Sequence, residues 1–300
     1  MSSRLNELEE ARANAAARAR MGAVAWPTMA LGVAVLIGYG LVLAAAMSGA
    51  VPLWGALIAS ALLYYPSYTV THEAVHGNIG GKSKSLEWLN SLFGYASAQI
   101  NGAAFTTHRK EHLAHHRYTN KPGRDPDLYI SDGRFISVIK GAFVALTVQL
   151  TFYLRSNWQD ASLMERAAVV LEYGTMIAWR LAIVALGFWD VALVVFILGS
   201  FGGLVLLLTL FAWLVHRPYD VVGRYRDTST IIFPRPIDGL VSWLWLFQNY
   251  HSIHHLFPGV PFYRYRDVFA DDEDIMLANG APIMRVGRSD HGAMLPSISN

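Results

Sequence analysis

Read for hydrophobic and polar positions, the chain divides into long uncharged apolar runs separated by stretches in which charge and histidine collect. Val24 to Met47 and Val51 to Val70 contain no Asp, Glu, Lys or Arg. As helices, each is long enough to cross a hydrocarbon core of about 30 Å. Three more apolar segments precede His216: Gly141 to Leu154, roughly Ala167 to Trp189, and Val191 to Val215. The pattern predicts an all-α, polytopic membrane protein. The first run comes after an arginine-rich segment, but it is about twice the length of a signal-peptide core and no A-x-A-type site follows directly on it, so it is expected to stay as a helix.

Composition agrees, with 53% of residues hydrophobic and only 15% charged. A net charge of +2 gives no reason to expect a nucleic-acid partner. Three parts are expected: an N-terminal segment over 1–22, a membrane domain over 23–265, and a tail over 266–300. In the first, Glu7, Glu9 and Glu10 precede Arg12, Arg18 and Arg20, the order that suits a helix dipole. An amphipathic helix on the cytoplasmic membrane face and a solvated segment both fit it. The tail, with Asp271, Asp272, Glu273 and Asp274 in a row, is expected to be solvated, and its His291 is set aside.

The polar stretches carry the chemistry. His108, His112, His115 and His116 fall in nine residues, and on a helix they share an arc roughly 100° wide. His112-Leu113-Ala114-His115-His116 has the same H-x-x-H-H spacing as His251-Ser252-Ile253-His254-His255. His72 and His76, one turn apart, end the second apolar run, and His216 ends the last. With no cysteine in the chain, a metal must be held by nitrogen and oxygen. His72, His76, His112, His115, His116, His216, His251, His254 and His255 exceed the six positions of one octahedral ion, so a shared site implies two metals. Iron is favoured over zinc because it changes oxidation state and can activate oxygen. His108, Asp125, Asp127 and Asn249 are candidates for holding the ligands from behind.

For the clusters to meet, the chain must cross an even number of times between them. Gly141 to Leu154, the shortest apolar segment, is therefore read as interfacial, as is the mixed stretch 82–107. Four transmembrane helices remain beneath a histidine-rich helical cap. Arg180 then lies mid-span, where it must face the bundle interior or snorkel. Lysine and arginine gather at the N-terminus, over 82–140 and over 217–235, so the cap and its histidines are expected on the cytoplasmic side.

His72-Glu73-Ala74-Val75-His76, H-L-A-H-H and H-S-I-H-H, in this order and with this hydrophobic spacing, resemble the three histidine boxes of the membrane fatty acid desaturase and hydroxylase superfamily. The resemblance covers about residues 20 to 265. It implies a non-haem di-iron centre held by the nine histidines, with His216 as the extra ligand after the last span. It also implies O2 as co-substrate, electrons from a separate ferredoxin-like donor protein, and a lipid or isoprenoid substrate drawn from the bilayer. Removal of hydrogen would give an alkene and return of oxygen an alcohol. Ala212 stands where acyl-CoA members carry an Asn, and the first box is one residue shorter than theirs, which points away from that group. The segment from Gln248 to Tyr263 also resembles carotenoid-ring hydroxylases of the superfamily. From other classes, H-E-A-V-H satisfies the H-E-x-x-H pattern of an intramembrane zinc protease, and a non-catalytic haem or metal carrier would pair histidines across helices.

Overall fold

A computed structural model describes residues 2–130, 134–217 and 219–287 of the chain, and almost all of its regular structure is helical. His291 lies outside the described residues. The helices are α1 (Ser2–Arg18), α2 (Trp26–Met47), α3 (Leu53–Val75), α4 (Trp88–Asn101), α5 (Phe105–Tyr118), α6 (Phe135–Ser156) and α7 (Leu163–Ala185). They continue as α8 (Trp189–Trp213), α9 (Arg235–Leu244), α10 (His251–Leu256) and α11 (Tyr265–Ala278). The only sheet among the described residues is a parallel pair, β1 (Thr230–Ile232) with β2 (Ile283–Arg285).

Four helices are long and apolar enough to cross a membrane: α2, α6, α7 and α8. The set differs from the expected one. The segment expected over 141–154 starts at Phe135 and runs for 22 residues. In contrast α3, although 23 residues long, is polar over its second half from Tyr64 to Glu73 and falls outside the set. Both ends of α6 touch histidine-side residues. Phe135 packs on Trp213, with ring centroids 5.8 Å apart, and Tyr153 donates to Glu165, which pairs with Lys110 of α5 at 3.2 Å.

The stretch 82–107, read as interfacial, packs one side on α3 and leaves Trp88, Leu92 and Tyr95 exposed on the other. Most of it is α4, which lies antiparallel to α3: Asn90 receives the Ile79 N–H at 2.9 Å, and Asn101 donates to the Tyr64 carbonyl at 3.1 Å. After the left-handed turn at Gly102 (φ 72°), α5 returns beside it. Small residues draw α8 onto α3, since a Cβ on Gly203 would stand 2.3 Å from that of Tyr64. Arg180 faces inward, giving hydrogen bonds to the Met176 and Gln99 carbonyls and stacking on Trp179 at 4.6 Å.

The C-terminal segment is folded well past residue 270. Val268, Phe269, Ile275 and Met276 of α11 are buried against Tyr250 and Ile253, and Ala13 and Ala17 bring α1 onto the same core. An acidic outer face hides an apolar inner one at i, i+1, i+7 and i+8, which is why the run of carboxylates reads as solvated in sequence.

Candidate metal centre

Three helices and the end of α8 present histidine to one place. His72 closes α3 and His76 caps it; His112, His115 and His116 line the inner face of α5; His251, His254 and His255 occupy α10; His216 lies just past α8. The last turn of α8, Leu208–Trp213, is a π-helix. Such turns insert a residue and re-aim the side chains beyond it, and they recur at functional sites.

The nine rings divide into two adjoining sets. One nitrogen from each of His72, His76, His112, His116 and His254 lies within 4.8 Å of all the others. Nε2 of His254 stands 2.9 Å from that of His72 and 2.8 Å from that of His116, and Nε2 of His112 stands 3.0 Å from those of His76 and His116. The second set is His115, His216 and His255, joined by His251, whose Nε2 is 2.8 Å from that of His216. Rings of the two sets touch where His116 stacks on His255, with centroids 4.4 Å apart.

These separations fit metal ions. Two imidazole nitrogens about 2.0–2.1 Å from one ion, at right angles, stand about 3 Å apart. Nε2 of His115 and of His255 are buried with no partner in the protein, as ligand lone pairs would be. Burial holds the His116, His254 and His255 rings well below the ordinary histidine pKa, which keeps them neutral and able to coordinate. Burial acts on His115 in the same direction, but its hydrogen bond to Asp125 and the charges of the neighbouring carboxylates outweigh it and raise the ring.

The groups behind the rings are partly those expected. His115 Nδ1 donates to Asp125 at 2.8 Å, with Asp127 3.7 Å away. Asn249 turns elsewhere, donating to the Ile231 carbonyl and to Ser242. His108 joins neither set among the described residues. Other contacts have no signal in the sequence. Tyr265 Oη lies 2.9 Å from Nδ1 of His254 and is hydrogen-bonded to Glu73; Gln248 Oε1 is 3.3 Å from Nδ1 of His251; Thr119 Oγ1 is 3.4 Å from Nδ1 of His255. Glu73 is fully buried and also receives Asn78 and the Phe262 N–H, so its carboxylate faces the 258–262 loop and not the histidines. A general base for zinc hydrolysis has to reach the metal-bound water, and Glu73 does not.

A cavity with about 1020 Å³ of empty space, part of it at an open mouth, reaches the rings. His112, His115, His216 and His251 line it together with Leu204, Leu207 and Phe211 of α8, and the Phe211 ring meets that of His251 edge-on with centroids 5.0 Å apart.

The sequence model of the family described as Fatty acid desaturase matches residues 48–287, a stretch that contains all nine histidines. The chain belongs to the fatty acid desaturase family. As a member, the protein is an oxidoreductase, and its four apolar helices make it an integral membrane protein. It is similar to the sn-1 oleoyl-lipid 12-desaturase of Picosynechococcus sp., with 25% identity over 82% of this chain and 76% of that protein. It is also similar to the Delta(5) fatty acid desaturase fat-4 of Caenorhabditis elegans, with 24% identity over 59% of this chain and 48% of the relative. Neither is a protease, a metal carrier or a ring hydroxylase, and those readings find no support.

Proposed function

We propose that this desaturase-family protein uses O2 and a two-iron centre to remove two hydrogens from a lipid hydrocarbon chain, leaving a double bond. The observation that carries it is the convergence of nine histidines from three sequence clusters and one span end into two adjoining sets beside a cavity that Leu204, Leu207 and Phe211 also line. Iron held by the two sets would supply oxygen activation and the oxidising power to break an unactivated C–H bond. O2 takes four electrons in all, two with the hydrogens of the lipid and two from a separate donor protein, and with two protons from solvent it leaves as two water molecules.

The chain's own residues do the positioning. Asp125 fixes the tautomer of His115 so that Nε2 faces inward, and Tyr265 does the same for His254 with Glu73 behind it. Leu204, Leu207 and Phe211 hold the hydrocarbon and exclude water from the rings. Both ends of α6 touch the histidine side, which favours an interfacial helix and leaves an even number of crossings between His116 and His216. Basic residues over 82–140 favour the cytoplasmic side for the centre. The two relatives' names favour a fatty acyl chain as substrate.

Metal analysis of the purified protein is expected to give two irons per chain. Lipid extracts from cells with the active protein should contain chains lighter by about two mass units than those from cells without it. A gain of about sixteen would mean hydroxylation instead. One zinc per chain, or activity without O2, would sink the proposal.

A further inference from the structure

The cavity contains polar atoms for which the two-iron reading has no use. His108, one turn before His112 on α5, is only 3% exposed. Its Nδ1 stands 3.1 Å from Nε2 of Gln149 on α6 and 3.3 Å from Oε2 of Glu111. That leaves Nε2 of His108 and Oε1 of Gln149 buried without a partner, and both residues line the cavity. Buried polar atoms in native structures are nearly always met by something, so the pair calls for a ligand.

The ring and the amide can be written in two ways. If the amide N–H donates to Nδ1, the ring proton is on Nε2, and the pair keeps a free ring N–H donor and a free amide oxygen. If the amide is turned, Nδ1–H donates to its oxygen, and the pair keeps a free NH2 donor and a bare Nε2 acceptor. Either way the pair offers one donor and one acceptor. A methylene satisfies neither. A carbonyl or carboxylate only accepts, so it satisfies one, and a carboxylate would also face Glu111. A hydroxyl donates to one atom and accepts from the other.

We propose that His108 and Gln149 recognise a hydroxyl group on the lipid chain, so that the preferred substrate is a hydroxylated hydrocarbon. The His108 ring lies 5.5 Å from that of His112 between centroids, which places the recognised oxygen close to the bonds presented to the metal ligands. The inference rests on the desaturase reading for the chemistry after binding, but not for the binding.

The test uses the full iron-loaded chain in lipid nanodiscs, supplied with O2 and a reduced ferredoxin-type electron donor, with methyl octadecanoate and a series of its mono-hydroxy isomers as probes. Binding is read by competition and hydrogen loss by mass spectrometry. At least one isomer should bind about tenfold or more tighter than the parent ester. The advantage should fall to near one in both Gln149→Leu and His108→Phe. Iron content and thermal unfolding identify a variant that has not folded, and the other then decides. Absence of any preferred isomer, or a preference that survives the substitutions, overturns the proposal and leaves the pair to water. The two readings fail separately. Selective binding with no hydrogen lost from any ester leaves the hydroxyl site standing and removes the desaturation; hydrogen lost from the parent with no preference does the reverse.

Discussion

In the histidine centre, ring nitrogens point at one another across about 3 Å; where α1 crosses α11, an unpartnered carboxylate sits beneath a rim of ion pairs. Both regions bury ionisable groups. At the crossing, Arg12 pairs with Asp274 and Arg20 with Asp271, each at 2.5 Å and at least partly exposed, while Asp272 between them is 1% exposed with neither oxygen bonded. The difference is one of convergence. Nine imidazoles gathered into two adjoining sets suit cations, and their free lone pairs would be met if a metal bound. A lone carboxylate under mobile surface cations is met by nothing in particular, and its cost falls on the fold. Buried polarity marks a site only where the orphaned atoms agree on a place.

The largest effect should come from the shared side of the centre. In His254→Ala, the ring that approaches both His72 and His116 is lost, so activity is expected to vanish and iron to fall below two per chain, with the helix content retained by circular dichroism. Full iron and activity in that variant would break the comparison, because the set would then not act as one site.

A smaller loss is expected behind the ring. Tyr265→Phe keeps the packing of α11 but leaves Nδ1 of His254 without its partner, and loss of such an outer contact costs roughly 10–100-fold in metal affinity or activity. Iron-binding isotherms of the two proteins measure it. Unchanged affinity would mean that Tyr265 only packs.

At the α1–α11 crossing the smallest effect should appear, and with the opposite sign. Burial raises the Asp272 carboxyl to about 6, above the 3.8 of a free aspartate. The folded chain therefore binds this proton more tightly than the unfolded chain does, so the stabilisation is fully present below pH about 4 and is lost as pH rises through about 6. Asp272→Asn should raise stability at pH 7 by about 1–2 kcal/mol, the rim arginines having already offset part of the penalty. The substitution should also flatten the thermal-unfolding profile between about pH 4 and about pH 7. A variant less stable at neutral pH would show that the carboxylate is needed as an anion, and the two regions would then be alike.

Much of the centre is legible in the chain because metal ligation sets local spacing. His112, His115 and His116 must share a helix face, so their intervals carry the information, and the repeat at His251, His254 and His255 removes coincidence. The ligands' supports are not legible in this way. Asp125 lies ten residues from His115 and is suggested by proximity, but Tyr265, Gln248 and Thr119 are ordinary residue types at positions only the fold brings near a ring. Asn249, next to Gln248 and two residues before His251, turns to β1 instead, donating to the Ile231 carbonyl from the short 248–250 turn.

The same division applies to the whole molecule. Long uncharged runs determine by themselves that helices cross a membrane, since no other backbone arrangement within one segment satisfies its own hydrogen bonds in hydrocarbon. Histidine spacing alone points to bound metal and to more than one ion. Tertiary structure alone decides that α4 folds back along α3, that α11 covers the cap, and that nine rings form sets of five and four. Those outcomes depend on contacts between residues far apart in the chain, where small faces such as Gly203 against Tyr64 and single hydrogen bonds such as Asn101 to Tyr64 leave no periodic trace.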